Sequence, residues 1–165
     1  MLIAKDRPWE IRTLLNPAFN VVLLRGFIEG YHHEAGNWPE YPVIFFVLPL
    51  VLPERSRQHM RGHNVLWGIQ RLLQDHPELK VDFAKRIHST AFLTREALIL
   101  GFHLQTFDVD QQGRLMFFHQ RLVSRLDWPS GDERRDCLDA AKLLGRWFGR
   151  VDSTESLFTL IGVRP

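Results

Sequence analysis

The stretch from Ser153 to Pro165 carries five apolar residues, Leu157, Phe158, Leu160, Ile161 and Val163, up to the third position from its end. Chain ends ordinarily fray into polar tails. An end this apolar has to be covered, by the chain's own core or by another protein. It follows a second apolar block, Leu143-Leu144-Gly145-Arg146-Trp147-Phe148, which a glycine interrupts.

The rest of the chain can supply a core to receive it. Of 165 residues, 45% are apolar and 12% aromatic, which excludes a disordered chain and fits one domain. Net charge is only +2, and the basic residues are 17 Arg against 4 Lys. Arginine pairs bidentately with carboxylate or phosphate and stacks on rings. An Arg-rich, aromatic-rich, nearly neutral chain points to protein interfaces at least as strongly as to nucleic acid, since DNA-binding domains carry a larger basic excess. Cys137 is the only cysteine, so no intrachain disulfide forms and no oxidising compartment is required. Met1 to Trp9 holds no apolar stretch fit for a secretion signal. The most apolar run, Val43 to Leu52, contains Pro49 and is far shorter than the roughly 20 residues of a membrane span. A cytoplasmic protein is expected.

Periodicity and punctuation predict a mainly α fold with a small β-hairpin. A short helix is expected from Pro8 to about Leu15. Asn16 and Pro17 then open a helix whose Phe19, Leu23, Leu24, Phe27, Ile28 and Tyr31 recur at helical spacing. Val43 to Leu52 reads as buried helix or buried strand; its prolines favour helix. Glu54 to His63 reads as a polar, basic turn. A helix from Asn64 carries Val65, Leu66, Ile69, Leu72 and Leu73. Another spans 78–90, and a third, capped near Thr94, runs from Ala97 to Leu104. Phe107–Asp110 and Arg114–Phe118 flank a glycine-containing turn and predict a hairpin. Helices of about Asp132 to Gly149 and after Ser153 finish the chain. The whole is expected as one domain over 1–165, with a helical N-terminal part (8–76), a winged-helix-like part (78–120) and C-terminal helices (132–165). In that winged helix the segment 94–103 is too apolar to read a DNA groove and is expected to be buried.

No catalytic constellation stands out. The phosphate-cradling glycine motifs and the nucleophile elbow are missing. Cys137 sits among apolar neighbours on a helix and is expected to be buried and inert. His59 and His63 share a helical spacing, but no third ligand accompanies them in sequence, so they read as solvated histidines and no metal or cofactor is expected. Asp108 and Asp110 suit a turn. Asp136 and Asp139 are expected on the solvated face of a helix. Arg55, Arg57 and Arg61 form the best candidate for nucleic-acid contact, with Glu54 as the only acid nearby.

Several blocks, in order, resemble a known family. They are Asn16-Pro17-Ala18-Phe19 with Leu23-Leu24, Phe27 and Gly30-Tyr31; Leu48-Pro49-Leu50-Val51-Leu52 followed by Arg57; Phe83 with Arg86; Thr94-Arg95-Glu96-Ala97-Leu98; Ala141 with Leu144-Gly145-Arg146-Trp147-Phe148; and the closing Leu160-Ile161-Gly162-Val163-Arg164-Pro165. Together they resemble the middle component of bacterial three-component ABC conflict systems, which include Lamassu-type anti-phage defence. The resemblance implies a non-catalytic adaptor that bridges an SMC/Rad50-like ABC ATPase and an effector protein, often a nuclease, with DNA reached through the complex. It marks no catalytic positions. Phe158, Leu160, Val163 and Arg164 are the expected interface residues, although Phe158 and Leu160 could instead plug the domain's own core. Arg164, a charge beside an apolar stop, calls for a partner. The competing readings are a winged-helix DNA-binding regulator and a small hydrolase.

Overall fold

A computed structural model describes residues 13–118, 126 and 128–164. In chain order its helices are α1 (Pro17–Ala35), α2 (Val47–Val51), α3 (Glu54–Met60), α4 (Gly68–Asp75), α5 (Phe83–His103), α6 (Glu133–Gly149) and α7 (Thr154–Ile161). Two 3₁₀ turns, Tyr41–Phe46 and Pro77–Lys80, precede α2 and α5. The strands β1 (Phe107–Val109) and β2 (Leu115–Phe117) pair antiparallel, Asp108 opposite Met116. The molecule is therefore mainly helical with one small hairpin, as the sequence predicts.

Caps set the principal helices. The Asn16 side chain accepts from the Ala18 amide at 2.9 Å, and Pro17 fills a first-turn position that has no N–H to satisfy. Asp132 does the same for α6, accepting from the Arg134 amide at 2.8 Å. The predicted helix after Asn16 runs beyond Tyr31 to Ala35, where Gly36 stops it at φ 69°.

At the centre, α1 lies parallel to α6 with the two backbones in direct contact. Gly26 and Gly30 on α1, and Gly145 and Gly149 on α6, are each four residues apart and so share one face of their helix. A β-carbon on Gly30 would overlap the Lys142 carbonyl oxygen, and one on Gly145 the Phe27 carbonyl oxygen. One on Gly149 would stand 2.7 Å from the Tyr31 carbonyl oxygen. Small residues permit this approach and nothing larger does. Beside the seam, Phe27 and Phe148 pack edge to face at 5.5 Å, and the fully buried Trp147 donates its indole N–H to the Asn64 carbonyl at 3.0 Å. Glu34 closes one end, accepting from Arg146 at 2.7 Å, and this hydrogen bond holds its carboxyl below the usual range.

The proline-divided run is helical. Pro42 sits in the first turn of the 3₁₀ segment, and Val43, Ile44, Val47, Leu48 and Val51 are fully buried. Continuous burial explains why no alternation marks it.

Four expectations need correction. Glu54 to Met60 is a helix rather than a turn, closed at Gly62 with φ 76°. The helix expected from Asn64 starts only at Gly68, because the Asn64 side chain accepts from the Leu66 amide at 3.0 Å in a turn; Leu66 is left 78% exposed. The two helices expected across 78–104 are one, α5, preceded by a 3₁₀ turn. The gap expected between 90 and the cap near Thr94 is helical, and the Thr90 hydroxyl bonds to the Arg86 carbonyl within the helix at 2.8 Å. Finally, the segment 94–103 is not buried throughout: Ala97 and Leu98 are, whereas Ile99 is 63% exposed, since one face alone of α5 meets the core. A helix still leads into the hairpin, the order of a helix and wing. Asp110 builds the turn as expected, accepting from the Gln112 and Arg114 amides at 2.9 and 2.8 Å. The helix expected from Pro8 to Leu15 falls largely outside the described residues.

The seam predicts an uneven glycine scan. Gly30→Ala and Gly145→Ala should each cost about 3 kcal/mol, the upper part of the overpacking range, because backbone on the facing helix cannot yield. Gly26→Ala should cost about 1 kcal/mol or less, since its β-carbon meets the movable ends of Leu138 and Lys142 and the helix gains propensity. Urea unfolding of the three variants checks the order.

Candidate partner interface

Ser153 begins α7 as predicted, its hydroxyl accepting from the Ser156 amide at 3.1 Å. Gly162 ends it in the left-handed region at φ 81°. The Gly162 amide donates to the Thr159 carbonyl at 3.2 Å and the Val163 amide to the Phe158 carbonyl at 3.0 Å, the two bonds of a Schellman motif. Beyond this reversal Val163 and Arg164 share a groove with the start of the 3₁₀ segment.

Together they border an apolar groove of about 900 Å³, lined among others by Tyr41, Phe45, Phe46, Ile87, Phe158 and Val163. Phe158 forms the floor, its ring 4.9 Å from that of Phe46. Tyr41 stands on the rim, 44% exposed, with its ring against Phe45 at 5.5 Å. Arg164 is exposed at the mouth and makes no hydrogen bond or ion pair among the described residues. Glu40 and Glu155 give the lining its acidic positions. An open trough of rings with few polar groups suits an apolar segment of another protein with a charged flank.

The four residues expected at an interface are thus divided. Phe158, Val163 and Arg164 border one groove, Phe158 serving the core and the groove at once. Leu160 turns to another face of α7 and lines a separate cleft with Trp67 and Trp147. Tyr41 and Phe45, which complete the groove, are not singled out by the sequence, where Phe45 reads as part of the buried run Val43 to Leu52.

The three arginines weighed for nucleic acid do not form one basic face. Arg55 is exposed. Arg57 is 1% exposed, and its guanidinium donates to Asp136 at 2.7 Å, Glu133 at 2.6 Å and the Val51 carbonyl at 2.9 Å. Burial opposes its charge, but the bonds to Asp136 and Glu133 outweigh that and raise its pKa. Arg61 also holds Asp136, at 2.9 and 2.8 Å. Asp136 is consequently not the solvated side chain expected; hydrogen bonds from Arg61 and Arg57 lower its pKa. Asp139 does remain exposed at 69%. Cys137 beside them is fully buried, as expected, and burial pushes its thiol up to about 12.

The histidines are also placed differently. His63 stacks on Trp67 at 3.6 Å, while His59 stacks on His76 at 3.7 Å with Glu78 beside both. Sequence spacing paired His59 with His63 and could not anticipate a partner on a separate turn. No helix among the described residues is long and apolar enough to cross a membrane.

The molecule is thus a helical core built on a glycine seam, with an apolar groove bordered by its last described helix. The chain belongs to the family of middle component 3 of ABC-three-component systems, whose family model matches residues 4–165. A middle component implies partner components in a complex. No curated protein and no solved structure matches the chain.

The ion network carries a pH dependence with a definite sign. The folded pKa of Asp136 lies below its ordinary 3.8, so its contribution is complete above that value and fades as pH falls through the folded one. Asp136→Asn should therefore cost about 2 kcal/mol at neutral pH, the worth of hydrogen bonds to a charged group. The gap should narrow as pH falls below 3.8 and through the folded pKa, where the native carboxylate is itself protonated. Urea titrations at neutral pH and along an acid series measure it.

Proposed function

We propose that this chain is a non-catalytic adaptor that bridges an SMC/Rad50-like ABC ATPase and an effector protein, a nuclease in the Lamassu-type arrangement, within an anti-phage defence complex. The observation that carries the reading is the groove formed by Tyr41, Phe45, Phe46, Phe158 and Val163 in a chain whose family is a middle component. It takes up an apolar segment of one partner, and Arg164 at its mouth pairs with an acidic residue flanking that segment. Aromatic rings and arginine are the residue types that dominate interface energetics. The complex works in the cytoplasm and reaches DNA through the ATPase.

The alternative, a winged-helix DNA-binding regulator, draws support from a helix leading into a hairpin. The engagement of Arg57 by Glu133 and Asp136 weighs against it, because the basic triad keeps only Arg55 and Arg61 at the surface.

Co-expression with the proteins encoded beside it, followed by purification on this chain, tests the adaptor. A stable complex with an ATPase and a third protein is expected. Tyr41→Ala combined with Arg164→Glu, both on exposed side chains, should weaken that complex at least about 30-fold, the loss of hot-spot contacts. An undiminished complex from the folded variant would overturn the groove as the contact, and duplex DNA binding by the isolated chain would favour the regulator.

A further inference from the structure

We propose that His59, His76 and Glu78 form a binding site for one Zn²⁺, held by two imidazole nitrogens and one carboxylate oxygen. The three come from separate elements. His59 lies near the end of α3, His76 caps the end of α4, and Glu78 stands in the 3₁₀ turn that Pro77 begins. Their donor atoms nevertheless all fall within 4.8 Å of one another. His59 Nε2 and His76 Nδ1 are each 3.5 Å from Glu78 Oε1. In a tetrahedral zinc site with bonds of about 2.0–2.1 Å the donors stand about 3.4 Å apart. Two edges of the coordination figure are therefore already near their length. The remaining edge runs between the two imidazoles, stacked at 3.7 Å with their planes 26° apart, and it forms when the rings splay around the ion.

A second observation points to a ligand. His59 Nε2 is sealed from solvent and makes no hydrogen bond. A buried polar atom left in this way is a cost that a coordinated ion removes. Arg55 is the cation that acts on both His59 and Glu78 and opposes the ion's charge. Two nitrogens and one oxygen match zinc and its borderline neighbours, whereas Mg²⁺ and Ca²⁺ favour oxygen cages. Glu78 is 39% exposed, so the fourth position opens to solvent and takes a water. Bound zinc ties α3 to the turn between α4 and α5.

The test uses the full chain, stripped with a chelator, dialysed, and titrated with Zn²⁺ alone. The expected result is about one zinc per chain, with the thermal midpoint raised about 5 °C or more at zinc 100-fold above its Kd. Co²⁺ in its place should give the visible absorption of a tetrahedral nitrogen–oxygen site. His76→Ala and Glu78→Ala should each weaken zinc more than about 100-fold, beyond the loss caused by removing an outer partner of a ligand. His63→Ala should leave it unchanged, and Arg55→Ala should tighten it. Glu78→Ala removes a half-exposed side chain, so circular dichroism should show its fold intact. Absence of stoichiometric zinc in the native chain would overturn the site. Unchanged affinity in both the His76 and Glu78 variants would overturn it equally, because the ion would then sit on other histidines.

Discussion

The close approach of α1 and α6 is the contact on which the other contacts depend. Two parallel helices whose facing residues are more than a hundred positions apart in sequence, such as Gly30 and Lys142, meet backbone to backbone, and four glycines make room for it. Once the helices are this close, Phe27 reaches Phe148, Trp147 reaches the Asn64 carbonyl, and Glu34 reaches Arg146. The first and last thirds of the chain are thereby closed around the buried run from Val43 to Val51. Helix propensity is given up for this, since glycine inside a helix costs roughly 1 kcal/mol against alanine. The packing that the glycines allow recovers it.

Arg57 plays a similar part on another side. Its guanidinium joins the end of α2, through the Val51 carbonyl, to Glu133 and Asp136 at the start of α6. A charge buried to this degree is stable only while its carboxylates remain. α7 packs on this core through Leu157 and Ile161, and its Schellman reversal sets Val163 and Arg164 on the groove that Tyr41 also lines. The groove thus depends on how α7 ends.

Local chemistry was legible in the sequence and distant pairing was not. Asn16, Ser153 and Asp110 each satisfy amides within four residues, so residue type alone announced the caps and the turn. The burial of Cys137 followed from its apolar neighbours. The glycine seam escaped because a glycine in a helical pattern reads as a weak point unless its facing helix is known. Arg57 reads in sequence as a nucleic-acid contact and Asp136 as a solvated charge, because 79 residues separate the two. Thr94 reads as a helix cap, yet its hydroxyl, like that of Thr90, turns onto a carbonyl of the same helix. Of the four residues the sequence points to, Phe158, Val163 and Arg164 border the groove and Leu160 a separate cleft, since an α-helix of eight residues presents several faces and only the packing tells them apart.

Hydrogen exchange read by mass spectrometry, on the chain alone and in the complex formed with its partner components, tests the account most directly. The account predicts that binding slows exchange in Tyr41–Phe46 and in Thr154 to Arg164, the two segments that form the groove. It predicts little change across the α1–α6 seam, which is already closed in the free chain. Protection confined to Glu54–Met60 and the β1–β2 hairpin, with the groove exchanging as fast as before, would contradict it.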